Sequence, residues 1–256
     1  MDIMHAVVLG IVEGITEFLP ISSTGHLMLT GKILDIAQTE FFKSFEVAIQ
    51  LGAILSVVVL YWNTVSKSIA VWVRIMAAFI PTAIVGALMY KVIKKLLLGN
   101  TDIVLWSLFI GGIVLIIFEL VHKEDPKAVG SIESMTIPQA VIIGLWQSVS
   151  VVPGVSRAAA TIVGGLFVGL RRKTIVEFSF LLAIPTMAAA TFLDLFKSAH
   201  RFTSSQFLFL AVGFIVSFLV ALAAIRFLVA FIKKHDFIPF GIYRVLVAVI
   251  FWFFIR

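Results

Sequence analysis

The chain has 256 residues, of which 61% are hydrophobic and 13% charged, and its mean hydropathy is +1.13. Soluble domains carry about 25% charged residues, so this composition excludes an ordinary soluble protein and predicts an integral membrane protein of one domain. The net charge of +6 does not indicate a nucleic-acid partner, because Lys and Arg form short clusters between apolar segments. Such clusters fit membrane boundaries or contacts with anionic lipid head groups.

Eight apolar segments follow one another along the chain. Two of them, 3–31 and 137–169, are each interrupted by a proline and a polar cluster. Irregular backbone at membrane depth is stable only where protein or a water-filled cavity surrounds it, so these two segments predict re-entrant, broken helices within an all-α membrane fold. The other six are uninterrupted and predict spanning helices: 46–62, 69–90, 103–121, 174–194, 207–232 and 238–255.

The two broken segments align with each other without gaps. The paired residues are Gly10 with Gly144, Glu13 with Gln147, Thr16 with Ser150, Ser22 with Ser156 and Gly31 with Gly165. Corresponding broken segments indicate inverted-topology repeats with a binding site at their interface. We place the repeats at approximately 1–121 and 137–256 of a single polytopic domain, 1–256. The Lys and Arg residues divide almost evenly between the two faces and do not orient it.

Several residues have structural interpretations. Thr136 with Gln139, and Thr174 with Glu177, fit capping boxes at helix starts. Gly10 and Gly14 are typical of close helix packing. For Tyr243 and Arg244, just inside the last span, we expect anchoring at the membrane interface.

Paired carboxylates in the first broken segment are the leading site candidates. Glu13 and Glu17 lie four residues apart, so both point to one face of an apolar helix. A carboxylate in a membrane segment costs about 2.5 kcal/mol or more, and no basic residue of that segment lies close. Glu46 and Gln50 are weaker candidates for supporting or metal-side groups, with solvation of a helix end as the alternative for Glu46. Gln147 is a weaker candidate by its alignment with Glu13.

Hydroxyls and an imidazole follow the first break, in the run Ser22, Ser23, Thr24 and His26. If a helix resumes there, its free N–H groups favour a phosphate. Ser22 can equally be the N-cap of that helix. Ser23 offers a hydroxyl nucleophile, and His26 and the two carboxylates offer bases that activate such a hydroxyl.

The second break contributes Gly154, Ser156 and Arg157. An arginine inside an apolar segment needs an anionic partner, and its planar fork suits a phosphate. We favour substrate contact by this break. The alternative, that Arg157 neutralises Glu13 and Glu17, is compatible with that role.

These motifs resemble those of the undecaprenyl-diphosphatase family, also called bacitracin-resistance proteins. Glu13–His26 resembles the family's glutamate-rich motif and the Ser-Ser-Thr-Gly-His run after it. Pro153–Arg157 resembles its second motif, which continues through Thr161, and this resemblance implies substrate contact by Thr161. Phe45–Gly52 and Glu177–Pro185 resemble further family stretches, so the likeness runs nearly end to end. One departure is Ala158, where the family usually has a serine.

The resemblance implies interlocked inverted repeats in the plasma membrane and a site open to the outer side. It implies hydrolysis of undecaprenyl diphosphate to the monophosphate, which recycles the lipid carrier of the cell envelope, with a divalent cation, Mg²⁺ or Ca²⁺. In the mechanism we favour, Ser23 attacks the phosphorus, His26 or Glu17 takes its proton, and Glu13 with Glu17 holds the metal. Arg157 stabilises the phosphate oxygens.

Three alternatives stay open at this point. His26 or a water molecule can replace Ser23 as the nucleophile. A transporter or flippase of a phosphorylated lipid would also use broken helices and Arg157. The sequence leaves open whether the chain forms a homodimer.

Overall fold

The structure is a computed structural model that describes residues 1–37, 39–92, 100–198 and 202–255. Eleven α-helices and a short 3-10 turn at Val149–Val151 account for its regular structure, and the described residues form no strand. The all-α membrane fold is therefore confirmed. The helices are α1 Ile3–Thr16, α2 Ser23–Ile33, α3 Glu40–Leu60, α4 Trp62–Lys67, α5 Ile69–Val92, α6 Thr101–Val121, α7 Ile137–Ser148, α8 Arg157–Phe167, α9 Arg172–Ser198, α10 Ser204–Phe231 and α11 Ile238–Ile255.

Six long helices correspond to the six uninterrupted segments. By length and composition, α3, α5, α6 and α10 are long and apolar enough to cross a bilayer. The other two are α9, with 27 residues and Pro185 inside it, and α11, with 18 residues. Large apolar side chains on α3, α5, α6, α10 and α11 face outward, as expected for surfaces that contact lipid.

The two broken segments have the same backbone plan. Six residues separate the end of α1 from the start of α2, and α7 with its 3-10 turn leads likewise into α8. At equivalent positions Ser22 and Ser156 have positive φ, 72° and 75°, and each caps the following helix with its hydroxyl. A non-glycine residue in this region costs about 1–3 kcal/mol. The division into halves 1–121 and 137–256 stays a prediction.

Each broken helix packs against a long helix of the other half of the chain. Helix α1 contacts α10 most extensively, and α7 contacts α5. The glycines make this approach possible, because a Cβ at Gly10 would lie 2.8 Å from the carbonyl oxygen of Gly213. A Cβ at Gly144 would collide with the carbonyl group of Ala78. Gly14 lies equally close to Ser217, which confirms the close packing predicted for Gly10 and Gly14.

One of the two predicted capping boxes is present. Thr136 and Gln139 cap the start of α7 reciprocally, as predicted. The box predicted at Thr174 is wrong, because α9 begins two residues earlier, at Arg172. The backbone N–H of Ile175 already donates to the carbonyl of Arg171, so Thr174 lies inside the first turn.

Candidate active site between the two broken helices

Glu17 is the centre of the candidate site. It follows α1 directly and is buried, with 6% of its surface exposed. The hydroxyl of Ser23, the first residue of α2, donates to Glu17 Oε2 at 2.5 Å. Arg157 Nη2, from the first residue of α8, donates to Glu17 Oε1 at 3.2 Å. The structure therefore brings together three predicted site residues from both breaks.

Arg157 keeps donor capacity beyond its ion pair. Its Nη1 donates to the carbonyl of Ser179 at 2.7 Å, which holds the guanidinium between α8 and α9. Its Nε is buried and has no hydrogen-bond partner among the described residues. A buried cation with an unused N–H is suited to bind an anion that enters the site. The ion pair with Glu17 therefore leaves Arg157 a free donor for a ligand, and ligand contact stays a prediction.

Glu13 is fully buried, and neither of its carboxylate oxygens has a hydrogen-bond partner among the described residues. The charges that act on it are those of Glu17, Glu46 and Arg157, so carboxylates outnumber cations here. Oxygen donors without partners fit a hard divalent cation. No group of three or more His, Cys, Asp or Glu that could hold a metal occurs in the described part of the chain. Water or substrate oxygens would complete the coordination.

Two weaker candidates, Glu46 and Gln50, lie on α3. Glu46 is half-buried and acts electrostatically on Glu13, whereas Gln50 is half-buried one turn further on. Their role as supporting groups stays a prediction.

The serines before α2 and α8 act as helix caps. Ser22 Oγ accepts the N–H of Gly25 at 3.4 Å, and Ser156 Oγ accepts the N–H of Ala159 at 3.1 Å. The cap interpretation of Ser22 is confirmed, and substrate contact by either serine stays a prediction. Thr24 is exposed and lies outside the buried cluster.

Thr161 and Gln147 support Arg157 from within the protein. Thr161 Oγ1 donates to the carbonyl of Arg157 at 2.8 Å and lies 3.4 Å from Gln147 Oε1. Gln147 Nε2 in turn donates to Thr82 Oγ1 at 2.9 Å. This buried network connects α8, α7 and α5. It uses Thr161, for which we expected substrate contact, and Gln147, a weaker site candidate, and their contact with a ligand stays a prediction.

His26 does not face Ser23. Its Nδ1 lies 2.8 Å from the carbonyl oxygen of Ser22, and its Nε2 lies 2.9 Å from the hydroxyl of Tyr243. The proton of the Ser23 hydroxyl points to Glu17 instead. Of the two bases that we considered, the geometry therefore favours Glu17.

Arg244 is the functional residue that sequence reasoning missed. The interface anchoring predicted for it is wrong, because its side chain is fully buried. It donates to carbonyl oxygens of both breaks: Pro20 at 3.3 Å, Gly154 at 3.1 Å and Val155 at 3.0 Å. It also bonds two carbonyls of α6. Broken helices leave carbonyls unpaired inside the membrane, and the five N–H donors of a guanidinium satisfy them.

Comparisons with known proteins agree on one family. The family model of "Bacitracin resistance protein BacA" matches residues 6–250. The undecaprenyl-diphosphatase of Aquifex aeolicus is 52% identical over 247 residues, which cover 96% of each chain. That of Wolinella succinogenes is 46% identical over 255 residues, covering 100% of this chain and 99% of the relative. That of Sulfurihydrogenibium sp. is 51% identical over 252 residues, covering 98% and 99%.

Replacing Arg244 by lysine is expected to destabilise the protein. Lysine has three donors in place of five and no planar fork, so carbonyls at the breaks lose partners. Each buried group left unpaired costs about 1–3 kcal/mol. Thermal unfolding in detergent measures the effect, with Arg226→Lys, at an exposed arginine of α10, as the matched control. Equal unfolding midpoints for the two variants would show that the hydrogen bonds from Arg244 to the two breaks do not stabilise the fold.

Proposed function

The chain belongs to the family of bacitracin resistance protein BacA, and on that premise we propose that it is a membrane phosphatase acting on undecaprenyl diphosphate. The products are undecaprenyl phosphate and inorganic phosphate, so the enzyme recycles the lipid carrier used in cell-wall synthesis. Relatives that match nearly the whole chain are undecaprenyl-diphosphatases, and no comparison supports a transporter. The observation that carries the proposal is the Ser23 hydroxyl held on Glu17 beside Arg157.

The chemistry assigned to these residues is a displacement in two steps. Glu17 accepts the proton of Ser23, whose Oγ attacks the terminal phosphorus and forms a phosphoserine, while the bond to undecaprenyl phosphate breaks. Arg157 and the free N–H groups at the start of α2 and α8 neutralise the phosphoryl oxygens. Water then attacks the phosphorus of the phosphoserine, and the bond from phosphorus to Ser23 Oγ breaks. Glu17 returns its proton to Oγ, inorganic phosphate leaves with the hydroxyl of the water, and the other proton of the water goes to solvent.

We further propose a divalent cation, Mg²⁺ or Ca²⁺, at Glu13 and Glu17. When bound, it supplies positive charge that offsets the negative charges of the diphosphate and the carboxylates. The support is the donor set: Glu13 has two buried carboxylate oxygens without partners, beside the carboxylates of Glu17 and Glu46. Arg157 alone cannot balance three carboxylates and a diphosphate.

The surroundings of the site fit a lipid substrate. Several apolar helices place the chain across a bilayer as a multi-pass protein. We propose the plasma membrane as its location and an opening toward the outer side, on the resemblance of the motifs to the family. A homodimer stays a prediction.

Purified protein in detergent is expected to release inorganic phosphate from undecaprenyl diphosphate, because hydrolysis needs no gradient. Excess chelator should stop the release, and added Mg²⁺ or Ca²⁺ should restore it. Glu13→Gln should respond weakly to added metal, since it removes one charged ligand. Phosphate release unaffected by chelator would disprove the cation alone, whereas no release under any condition would disprove the proposed function.

Ser23→Ala is expected to abolish turnover, because no neighbouring group replaces its bond to phosphorus. Acid quench of the wild-type reaction should trap an acid-stable phosphoserine that is absent from the variant. The matched control is Ser56→Ala, since that buried serine of α3 donates to the carbonyl of Ala53, outside the site. A substantial rate in Ser23→Ala would show that His26 or water attacks the phosphorus.

A further inference from the structure

The backbone just before the proposed nucleophile is strained. Ser22 has φ 72° and ψ 93°, a conformation that residues other than glycine rarely adopt. Such a conformation persists only where neighbouring contacts hold it. It determines where α2 begins, and hence that the hydroxyl of Ser23 meets Glu17.

Two hydrogen bonds from one residue hold the Ser22 carbonyl. The backbone N–H of His26 donates to it at 3.2 Å, and His26 Nδ1 lies 2.8 Å from the same oxygen. A carbonyl oxygen only accepts, so Nδ1 carries the proton and Nε2 of the neutral ring is an acceptor. Tyr243 is placed to donate to that Nε2 at 2.9 Å, and its ring stacks on the imidazole at an interplanar angle of 6°.

The second break provides a comparison within the same chain. Ser156 has the same strained conformation, but Ala160 stands at the position equivalent to His26. The carbonyl of Ser156 accepts the backbone N–H of Ala160 at 3.0 Å, and alanine offers no side-chain donor. The imidazole and the tyrosine are therefore not required to form this type of break. They occur at the break that carries the proposed nucleophile.

We propose that Tyr243 and His26 are positioning residues for the reaction. The Tyr243 hydroxyl fixes the His26 ring, His26 Nδ1–H fixes the carbonyl of Ser22, and this carbonyl fixes the peptide that presents Ser23 to Glu17. In this relay His26 takes no proton from Ser23. The inference rests on the proposed function and deepens it, because it assigns the roles of two residues near the same site.

Replacing His26 by asparagine or by glutamine distinguishes a positioning role of His26 from a role in acid–base chemistry. The side-chain N–H of asparagine can occupy the place of Nδ1–H, whereas that of glutamine reaches the place of Nε2. We expect His26→Asn to keep kcat within about tenfold of wild type. His26→Gln and His26→Ala should lose about 10²-fold, since misplacing a reacting group by about 1 Å costs that much. If His26→Asn is as inactive as His26→Ala, His26 acts through Nε2 and the proposal fails.

Tyr243→Phe removes the hydroxyl and keeps the stacked ring. We expect kcat for phosphate release to fall about tenfold with KM unchanged, the effect of one lost hydrogen bond. In the His26→Asn background the same change should have no effect, because asparagine has no Nε2 to accept the bond. Tyr61→Phe, at a tyrosine that packs on Phe180, is the matched control and should keep the wild-type rate.

Two outcomes would overturn the relay: wild-type kcat in Tyr243→Phe, or the same loss in both backgrounds. An inactive wild-type protein would instead count against the proposed function. Unfolding midpoints of every variant, measured in the same detergent, separate loss of positioning from loss of the fold.

Discussion

The ion pair between Glu17 and Arg157 is the contact on which the rest of this structure depends. Both charges lie in a protein whose long helices are apolar, where an unpaired charge is costly. Each half of the chain supplies one partner, so the pair forms only when the halves interlock. Gly10 and Gly144 permit that interlocking, since each lets a broken helix approach a backbone of the opposite half. The interaction that stabilises the charges therefore also assembles the site.

Breaking two helices inside a membrane exposes carbonyls that need donors, and Arg244 supplies them to both breaks. With the backbone satisfied, the two breaks can keep one geometry and differ in side chains. Ser23 and Arg157 occupy equivalent positions, each the first residue of its helix. Glu13 is likewise matched by Gln147. The first broken segment thus carries the acid and the hydroxyl, and the second carries the cation, so neither segment contains a complete site.

Composition and interrupted segments predicted the all-α membrane fold, which is confirmed. Charge inside apolar segments marked Glu17 and Arg157 as site candidates, and the structure brings them into contact, whereas their catalytic roles stay predictions. The contact could be anticipated because a charge in an apolar segment is rare and needs a partner of opposite charge. The hydrogen bonds from Arg244 to the carbonyls of both breaks were not predictable from the sequence. Every residue has a backbone carbonyl, so no residue type identifies the carbonyls that need a donor. The contact of Tyr243 with His26 joins residues far apart in the chain. The capping box at Thr174 failed because the same spacing also occurs inside helices.

If Glu17 and Arg157 act as one unit in catalysis, a double-mutant cycle will show it. The measurement is kcat/KM for phosphate release from undecaprenyl diphosphate by wild type, Glu17→Gln, Arg157→Ala and the double variant. Residues that act as a unit are strongly non-additive, so the double variant should be no slower than the slower single variant. Each single change should cost on the order of 10²–10³ in rate. Losses that multiply in the double variant would show that the two residues act independently and that the ion pair is not a catalytic unit.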